Sequence, residues 1–318
     1  MVKALRLIPY YLRLVRWPNL LVVALTQFMV RYFIIQPILS DAGLQLQLSN
    51  KYFVIIVIAT ILISAAGYII NDYFDRKIDF INRPYRVIVG KVISRRMAIT
   101  LHTAFSILGI ILGTYVAYKL NLLYLSAIFI LVSTALWFYS THYKKRLLIG
   151  NLVIAIMVAL VPLIILLFEF PLLVRQYQLP ALAVNISIKS IAYWVGGYAG
   201  YAFLLNLIRE IVKDMEDHEG DANFGRTTIP IKWGIAKAKL IAGSLTAICI
   251  LATLFILMFK LDGWFAQAYG IVFMIFPMVV FVFMLQKASN KKSFYKLSQL
   301  LKVIMVLGLS FCIVYHYF

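Results

Sequence analysis

Residues 52–79 read YFVIIVIATILISAAGYIINDYFDRKID, an apolar run that ends in a group of acidic residues. The first 19 of these residues include no charged side chain. A helix of about 20 apolar residues is long enough to cross the hydrocarbon core of a bilayer. The stretch therefore predicts a transmembrane helix that carries carboxylates at its end. It shows no alternation of polar and apolar residues, which excludes a strand of a membrane β-barrel.

The same apolar pattern recurs along the chain. Of its 318 residues, 63% are hydrophobic and 14% are charged, against about 25% charged residues in soluble domains. The mean hydropathy is +0.91. This composition excludes the soluble, disordered and fibrous classes and predicts an all-α, polytopic membrane protein. We expect one domain over residues 1–318, with nine transmembrane helices around a central cavity and cytoplasmic helical cap loops. The nine predicted spans are 19–38, 52–70, 98–118, 121–139, 147–168, 190–208, 238–259, 264–285 and 300–317.

Basic residues predict the orientation of these spans. The N-terminal segment and the loops after the second, fourth, sixth and eighth spans, together with the first residues of the seventh and ninth spans, hold 25 Lys and Arg residues, against 5 on the opposite side. Because cytoplasmic loops carry an excess of Lys and Arg, the N-terminus is predicted to be cytoplasmic. The net charge of +19 follows from the same rule and does not indicate nucleic acid. Residues 1–18 are predicted to form an interfacial helix, and residues 71–97 and 209–237 are predicted to be cytoplasmic loops that hold the active site.

Nine of the 12 acidic residues lie in two clusters, which follow the second and the sixth span. Within each cluster, spacings of three and four residues place several carboxylates on one helix face. The positive-inside rule does not account for acids at these places. The first cluster consists of Asp72, Asp75 and Asp79, with Asn71 beside them, and the second consists of Glu210, Asp214, Glu216, Asp217, Glu219 and Asp221.

A divalent cation would relieve the repulsion within such clusters. Carboxylate and amide oxygens suit Mg²⁺, which usually takes its remaining ligands from waters and a substrate phosphate. Basic residues follow both clusters, and we single out four as candidate ligands of a diphosphate: Arg83, Arg86, Lys91 and Lys144. The alternative is that both clusters are solvated helix ends with salt bridges to nearby Lys and Arg. The two cysteines lie in apolar runs and are interpreted as core residues.

The motifs resemble those of a known family. Asn71-Asp72-x-x-Asp75-x-x-x-Asp79 resembles the first Asp-rich motif of the UbiA-type intramembrane prenyltransferases, and Asp214-x-x-Asp217-x-x-x-Asp221 resembles the second. The flanking text is similar to that of the digeranylgeranylglyceryl phosphate synthase branch. That branch usually continues Arg-Pro-x-Arg-Pro-Ile-Pro-Ser-Gly, whereas residues 83–91 here read RPYRVIVGK. The basic residues are kept, but two prolines and the serine are absent.

The resemblance implies a transferase that moves a polyprenyl group, here geranylgeranyl, from its diphosphate to geranylgeranylglyceryl phosphate. It implies Mg²⁺ held by Asp72, Asp75, Asp214 and Asp217, with Asn71, Asp79 and Asp221 as supporting contacts. It also implies that Tyr139 and Ser140 match the family's Tyr-Ser pair, and that Tyr139 faces an allylic cation. Asn19 is a candidate for a hydrogen bond near the substrate.

Three alternatives remain open at this point. The acceptor could be aromatic, such as 4-hydroxybenzoate or another quinone or haem precursor. The protein could be a transporter of an anionic substrate, although transporters place their charged groups near the midplane of the membrane. It could also bind lipids without catalysis, which would not require two carboxylate clusters.

Overall fold

The computed structural model describes residues 7–85, 87–177, 186–261 and 263–317. Every regular element within these ranges is a helix. Within these ranges, nine helices are long and apolar enough to cross a membrane, which confirms the predicted all-α, polytopic class. The nine are α2 (Trp17–Asp41), α3 (Asn50–Asn82), α4 (Arg95–Lys119), α5 (Leu123–Thr141), α6 (Ile149–Tyr177), α7 (Ile186–Glu216), α10 (Ile235–Phe259), α11 (Trp264–Lys287) and α12 (Lys291–Tyr317). Three shorter helices are α1 (Ile8–Leu14), α8 (His218–Asn223) and α9 (Ile229–Trp233).

Helices α3 and α7 are longer than the bilayer core requires. At about 1.5 Å per residue, the 33 residues of α3 span about 50 Å, against about 30 Å of hydrocarbon. The segments 71–97 and 209–237, predicted as loops, therefore begin inside helices. The first acidic cluster lies on the last turns of α3, and most of the second lies on the last turns of α7.

The chain divides into two compact units, which we describe separately. The first unit contains the described residues of 1–27, 47–144 and 167–178, and the second contains those of 28–46, 145–166 and 179–318. Helices α2 and α6 contribute residues to both.

In the first unit, α3, α4 and α5 pack against one another. The helices approach closely at glycines: a Cβ atom added at Gly113 of α4 would overlap the ring of Phe129 on α5. Helix α1 packs on α3 through Leu14, which is fully buried. Its partners form a small apolar cluster that covers the start of α4: Ile69, Ile88, Val89, Ile93 and Ala98.

A buried carboxylate accepts hydrogen bonds from the loop that precedes α3 in the first unit. Glu169 of α6 is inaccessible to solvent and accepts hydrogen bonds from the backbone N–H groups of Gln47 and Leu48. Two backbone donors just before α3 are thereby satisfied without water, as burial requires.

In the second unit, α7 packs against α10 and α12, and α11 packs against both of the latter. The core is apolar and includes Ile208, Ile211, Phe281 and Leu301. Both cysteines, Cys249 and Cys312, are buried and unpaired, which confirms their interpretation as core residues.

Candidate functional site

The first acidic segment, Asn71–Asp79 on α3, is held by a lysine from beyond α5. Asn71 and Asp75 lie one turn apart and are 8% and 4% exposed. The ammonium group of Lys144 donates to Asn71 Oδ1 at 2.8 Å and forms an ion pair with Asp75. Lys144 thus bridges an amide oxygen and a carboxylate oxygen on one face of the helix. Three residues that the sequence analysis selected are therefore in direct contact.

Asp72 has a different cationic partner. Arg16 Nη2 lies 2.7 Å from Asp72 Oδ1, and its guanidinium group stands 4.9 Å above the ring of Tyr68. Asn19 donates to the hydroxyl of the same tyrosine at 3.3 Å. Asn19 is consequently linked to the acidic segment through Tyr68 and Arg16, rather than by a direct contact.

Arg16 owes its position to the backbone between α1 and α2. Its φ of +53° is uncommon for a residue other than glycine, and it turns the chain sharply just before Trp17. Burial is the largest single effect and lowers the pKa of Arg16, but the upward contributions of Asp72, Tyr68 and Asp79 together exceed it. The net direction is upward, so the guanidinium stays charged at every physiological pH.

Tyr139 and Ser140 lie at the end of α5 and are both buried. The Nζ atom of Lys144 is 5.7 Å from the centre of the Tyr139 ring, within the range of a cation–π contact. The hydroxyl of Ser140 donates to the carbonyl of Leu136, which satisfies its donor within the helix. The ring of Tyr139 is therefore beside the acidic segment, and the Ser140 hydroxyl is engaged locally.

The basic residues after α3 differ in their surroundings. The backbone N–H of Arg83 caps α3 by donating to the carbonyl of Asp79 at 2.7 Å. Lys91 is exposed, donates to the carbonyl of Pro84 at 2.9 Å and lies over the ring of Phe80. Arg86 lies outside the described residues. The Lys91 ammonium is therefore engaged within its own loop.

Val89 replaces one proline of the branch pattern, and it is buried in this loop together with Ile88 and Ile93. Ile88, Val89 and Ile93 line the cluster around Leu14 of α1. A tight turn joins them: Gly90 has a φ of +83° and donates to the carbonyl of Ile93 at 2.7 Å. Hydrophobic burial thus shapes this loop, and its polar groups face outward.

The helix of the second acidic segment, Glu210–Asp221, is interrupted at Asp217. Helix α7 ends at Glu216, and α8 begins at His218. The backbone hydrogen bonds continue across this point, from Asp217 N to Lys213 O and from Asp221 N to Asp217 O. The predicted helical spacing of the acidic residues is therefore largely kept across this interruption.

Three carboxylates of the second segment, those of Glu210, Asp214 and Asp221, have polar partners. Asn151 of α6 donates to Asp214 Oδ2 at 2.8 Å. Arg226 lies 3.1 Å from Asp221, and both side chains are less than a tenth exposed. Glu210 pairs with Arg209 at 2.9 Å and with Lys213 at 3.7 Å. Asp214 is thus held by a neutral amide, whereas Glu210 and Asp221 are paired with cations.

The oxygens of the first segment fit Mg²⁺. Within the part of the chain that the structure describes, no group of three or more His, Cys, Asp or Glu side chains lies close enough to hold a metal ion. Mg²⁺ is commonly held by only one or two carboxylates together with substrate phosphates, so such a group is not required. The contact of the Lys144 ammonium with Asn71 and Asp75 shows that these oxygens already accommodate a cation.

The sequence analysis missed two partners of the acidic residues. Arg16 was counted only among the basic residues of an N-terminal interfacial helix, and Asn151 was taken as part of a span. An amide within the otherwise apolar start of the fifth span is a signal that points to Asn151. For Arg16, the signal is its place directly before the Trp-Pro-Asn sequence that opens the first span.

The described residues form nine candidate membrane spans, and carboxylates near the ends of two of these spans are paired to cations. These features define a polytopic membrane protein. The chain belongs to the UbiA prenyltransferase family, whose model matches residues 40–303. It is therefore a membrane prenyltransferase, which confirms the predicted enzyme class over the transporter and the non-catalytic lipid-binding protein.

Curated relatives are similar in sequence to this protein over most of the chain. The digeranylgeranylglyceryl phosphate synthase of Methanothermobacter thermautotrophicus is 30% identical over 268 residues, which cover 82% of this chain and 84% of the relative. The protein of the same name from Methanopyrus kandleri is 32% identical over 248 residues, which cover 78% and 81%.

Solved structures share the fold. A structure from work on digeranylgeranylglyceryl phosphate synthase in membranes superimposes with a TM-score of 0.61 at 24% identity, covering 96% of this chain and 97% of its own. A UbiA homologue from Archaeoglobus fulgidus, solved bound to GPP and Mg²⁺, superimposes with a TM-score of 0.59 at 17% identity, covering 95% and 99%.

Proposed function

We propose that this protein transfers a geranylgeranyl group from its diphosphate to geranylgeranylglyceryl phosphate, in a Mg²⁺-dependent reaction that releases diphosphate. The observation that carries the proposal is the similarity to relatives named digeranylgeranylglyceryl phosphate synthase at about 30% identity over most of both chains. A UbiA homologue bound to GPP and Mg²⁺ supports the use of a prenyl diphosphate and this metal.

The acidic residues provide the ligands for the metal. We assign Asp72 and Asp75 of the first segment, and Asp214 and Asp217 of the second, to Mg²⁺. The bound metal supplies Lewis-acid neutralisation of the diphosphate leaving group. Asn71, Asp79 and Asp221 support these ligands by hydrogen bonds and by charge.

Basic side chains stabilise the negative charge that develops as the bond between the allylic carbon and the diphosphate oxygen breaks. Lys144 is the strongest candidate, because it already lies against the first segment. Arg83, Arg86 and Lys91 are assigned to the same role, and for Lys91 this requires release from the carbonyl of Pro84. The acceptor oxygen attacks the allylic carbon as the bond to the diphosphate oxygen breaks, and the acceptor's proton passes to a nearby carboxylate.

Tyr139 shields the allylic carbon while it carries positive charge. Its side chain is 7% exposed, and its ring already lies near the ammonium group of Lys144. The π face of an aromatic ring attracts a cation most strongly where water is excluded. Ser140 and Asn19 are assigned to substrate binding, through the end of α5 and through Tyr68 respectively.

The sidedness of the membrane protein is part of the proposal. The N-terminus and the acidic segments are assigned to the cytoplasmic side, and the excess of basic residues on that side supports this assignment. Single cysteines introduced at exposed positions, such as Arg13 or Asn290, would be tested with an impermeant maleimide in sealed, inside-out vesicles. Labelling there, and protection in right-side-out vesicles, is the expected result.

The decisive experiment is an assay in membranes with Mg²⁺ and radiolabelled geranylgeranyl diphosphate. The acceptors are geranylgeranylglyceryl phosphate and, separately, 4-hydroxybenzoate, with a sample containing EDTA as the control. Product with the first acceptor alone supports the proposal. Product with 4-hydroxybenzoate alone would move the enzyme to an aromatic acceptor, and no product with either would overturn the assignment of the acceptor.

A further inference from the structure

We propose that Arg16 and Lys144 are exchangeable counter-ions of the first acidic segment. In this view they neutralise Asp72 and Asp75 in the empty enzyme and transfer to the diphosphate when it binds with its metal. The metal then binds cooperatively with the diphosphate and only weakly without it. This inference rests on the proposed function and adds Arg16 to the residues that bind the substrate.

The first argument is that two cations already occupy the oxygens assigned to the metal. Arg16 contacts Asp72 at 2.7 Å, and Lys144 contacts Asn71 at 2.8 Å and forms an ion pair with Asp75. A metal ion cannot take the same oxygens while both cations remain in place. Binding of the metal therefore requires the two side chains to move.

The second argument concerns where the displaced cations go. A metal that arrives alone removes each cation from its carboxylate and offers no anion in return. A diphosphate carries several negative oxygens, and both guanidinium and ammonium groups bind phosphate by charge-assisted hydrogen bonds. With diphosphate present, each displaced cation gains a new partner, so metal and diphosphate stabilise each other's binding.

Arg16 is well placed for such an exchange. Its side chain is a third exposed, whereas that of Asp72 is about a fifth exposed. Its backbone is held firmly, because the neighbouring Leu14 is buried against Ile69 and Ala98. The guanidinium can therefore change its partner by side-chain rotation, while α1 stays in place.

The test measures two affinities of purified full-length protein in lipid nanodiscs. The binding of Mn²⁺ alone is followed by electron paramagnetic resonance. The binding of radiolabelled inorganic pyrophosphate is followed at a fixed, saturating concentration of Mg²⁺. For Arg16→Gln we expect the affinity for Mn²⁺ alone to rise about fivefold and the affinity for pyrophosphate to fall about fivefold, which corresponds to one ion pair of about 1 kcal/mol.

Arg13→Gln is the matched control. It removes the same charge three residues earlier, on α1, and Arg13 is exposed and contacts the carbonyl of Tyr85. Neither affinity is expected to change in this variant. Lys144→Met, with the exposed Lys145→Met as its control, is expected to show the same opposite changes as Arg16→Gln and carries the test if Arg16→Gln fails to fold.

The outcomes separate the exchange from its alternatives. A fall in both affinities would show a structural role and overturn the proposal. An unchanged affinity for Mn²⁺ with weaker pyrophosphate binding would show that the cations bind substrate without blocking the metal, which also overturns it. If the wild-type protein showed no Mg²⁺-dependent binding of pyrophosphate, the proposed function itself would fail, which is a different result from either of these.

Discussion

The ion pair between Lys144 and Asp75 makes a prediction about stability that does not depend on catalysis. We expect Lys144→Met to destabilise the metal-free protein and the second substitution Asp75→Asn to restore most of the loss. The side chains are only 15% and 6% exposed, so solvent screens the pair weakly. The restoration is expected because the double variant buries two neutral groups in place of a single uncompensated charge.

The magnitude follows from the burial of the pair. Removal of one partner of a buried ion pair costs about 3–5 kcal/mol, and replacement of both by neutral groups is often close to neutral. Lys144 retains some exposure, so we take the lower end, about 3 kcal/mol, for Lys144→Met. For Asp75→Asn we expect about 2 kcal/mol, because the amide of Asn71 remains as a partner for the ammonium group. The double variant should lie within about 1 kcal/mol of the wild-type protein.

The assay is the unfolding of detergent-solubilised protein in EDTA, followed by far-UV circular dichroism, for the four members of the cycle. Lys145→Met is the control for the loss of a lysine, since that side chain is exposed, and we expect it to change stability by less than about 0.5 kcal/mol. If the double variant loses the sum of the two single losses, the groups are not energetically coupled. The reasoning from their burial would then be refuted.

Three further predictions concern catalysis, packing and pH. Asp217→Ala should abolish product formation without changing the helical content, and retained turnover in the membrane assay would contradict its assignment to the metal. Gly113→Ala should lower the unfolding free energy by about 1–3 kcal/mol through overlap with Phe129, whereas Gly200→Ala, which meets open space, should leave it unchanged or raise it. Because the pKa of Arg16 is raised, its side chain stays charged throughout about pH 6 to 9. The difference in unfolding free energy between wild type and Arg16→Gln should therefore show no step from guanidinium titration in this range. Unfolding curves recorded at a series of pH values would check this.

The sequence predicted the class of fold because hydrophobicity is a local property. Each span is recognisable from its own residues, so the sequence predicted all nine spans that the described residues contain. The acidic segments were recognisable because their surroundings are apolar. The ends of α3 and α7 were placed less well. Whether a helix stops at the membrane surface or continues beyond it depends on packing outside the bilayer. The apolar pattern ends before the last residues of the two helices, Asn82 and Glu216.

The partners of the acidic residues could not be derived in the same way. Arg16 and Asp72 are 56 residues apart, and Lys144 and Asp75 are 69 residues apart. Lys144 was nevertheless selected, because it follows the fourth span on the side of the membrane that was predicted to carry both acidic clusters. Arg16 was not, since a basic residue before a first span is already accounted for by membrane topology. For Lys91 the sequence predicted a role in binding the diphosphate, but its ammonium group donates to the carbonyl of Pro84 within the same loop.

The left-handed backbone of Arg16 has a consequence for which substitutions the position tolerates. Glycine or asparagine would adopt a φ of +53° at lower conformational cost than arginine. The backbone and the side chain therefore favour different amino acids at this position. Arg16→Gly should relieve the backbone while it removes the counter-ion, so the loss of stability should be smaller than in Arg16→Gln. A glycine at position 16 would thus change the charge beside the first acidic segment with little change in the stability of the fold.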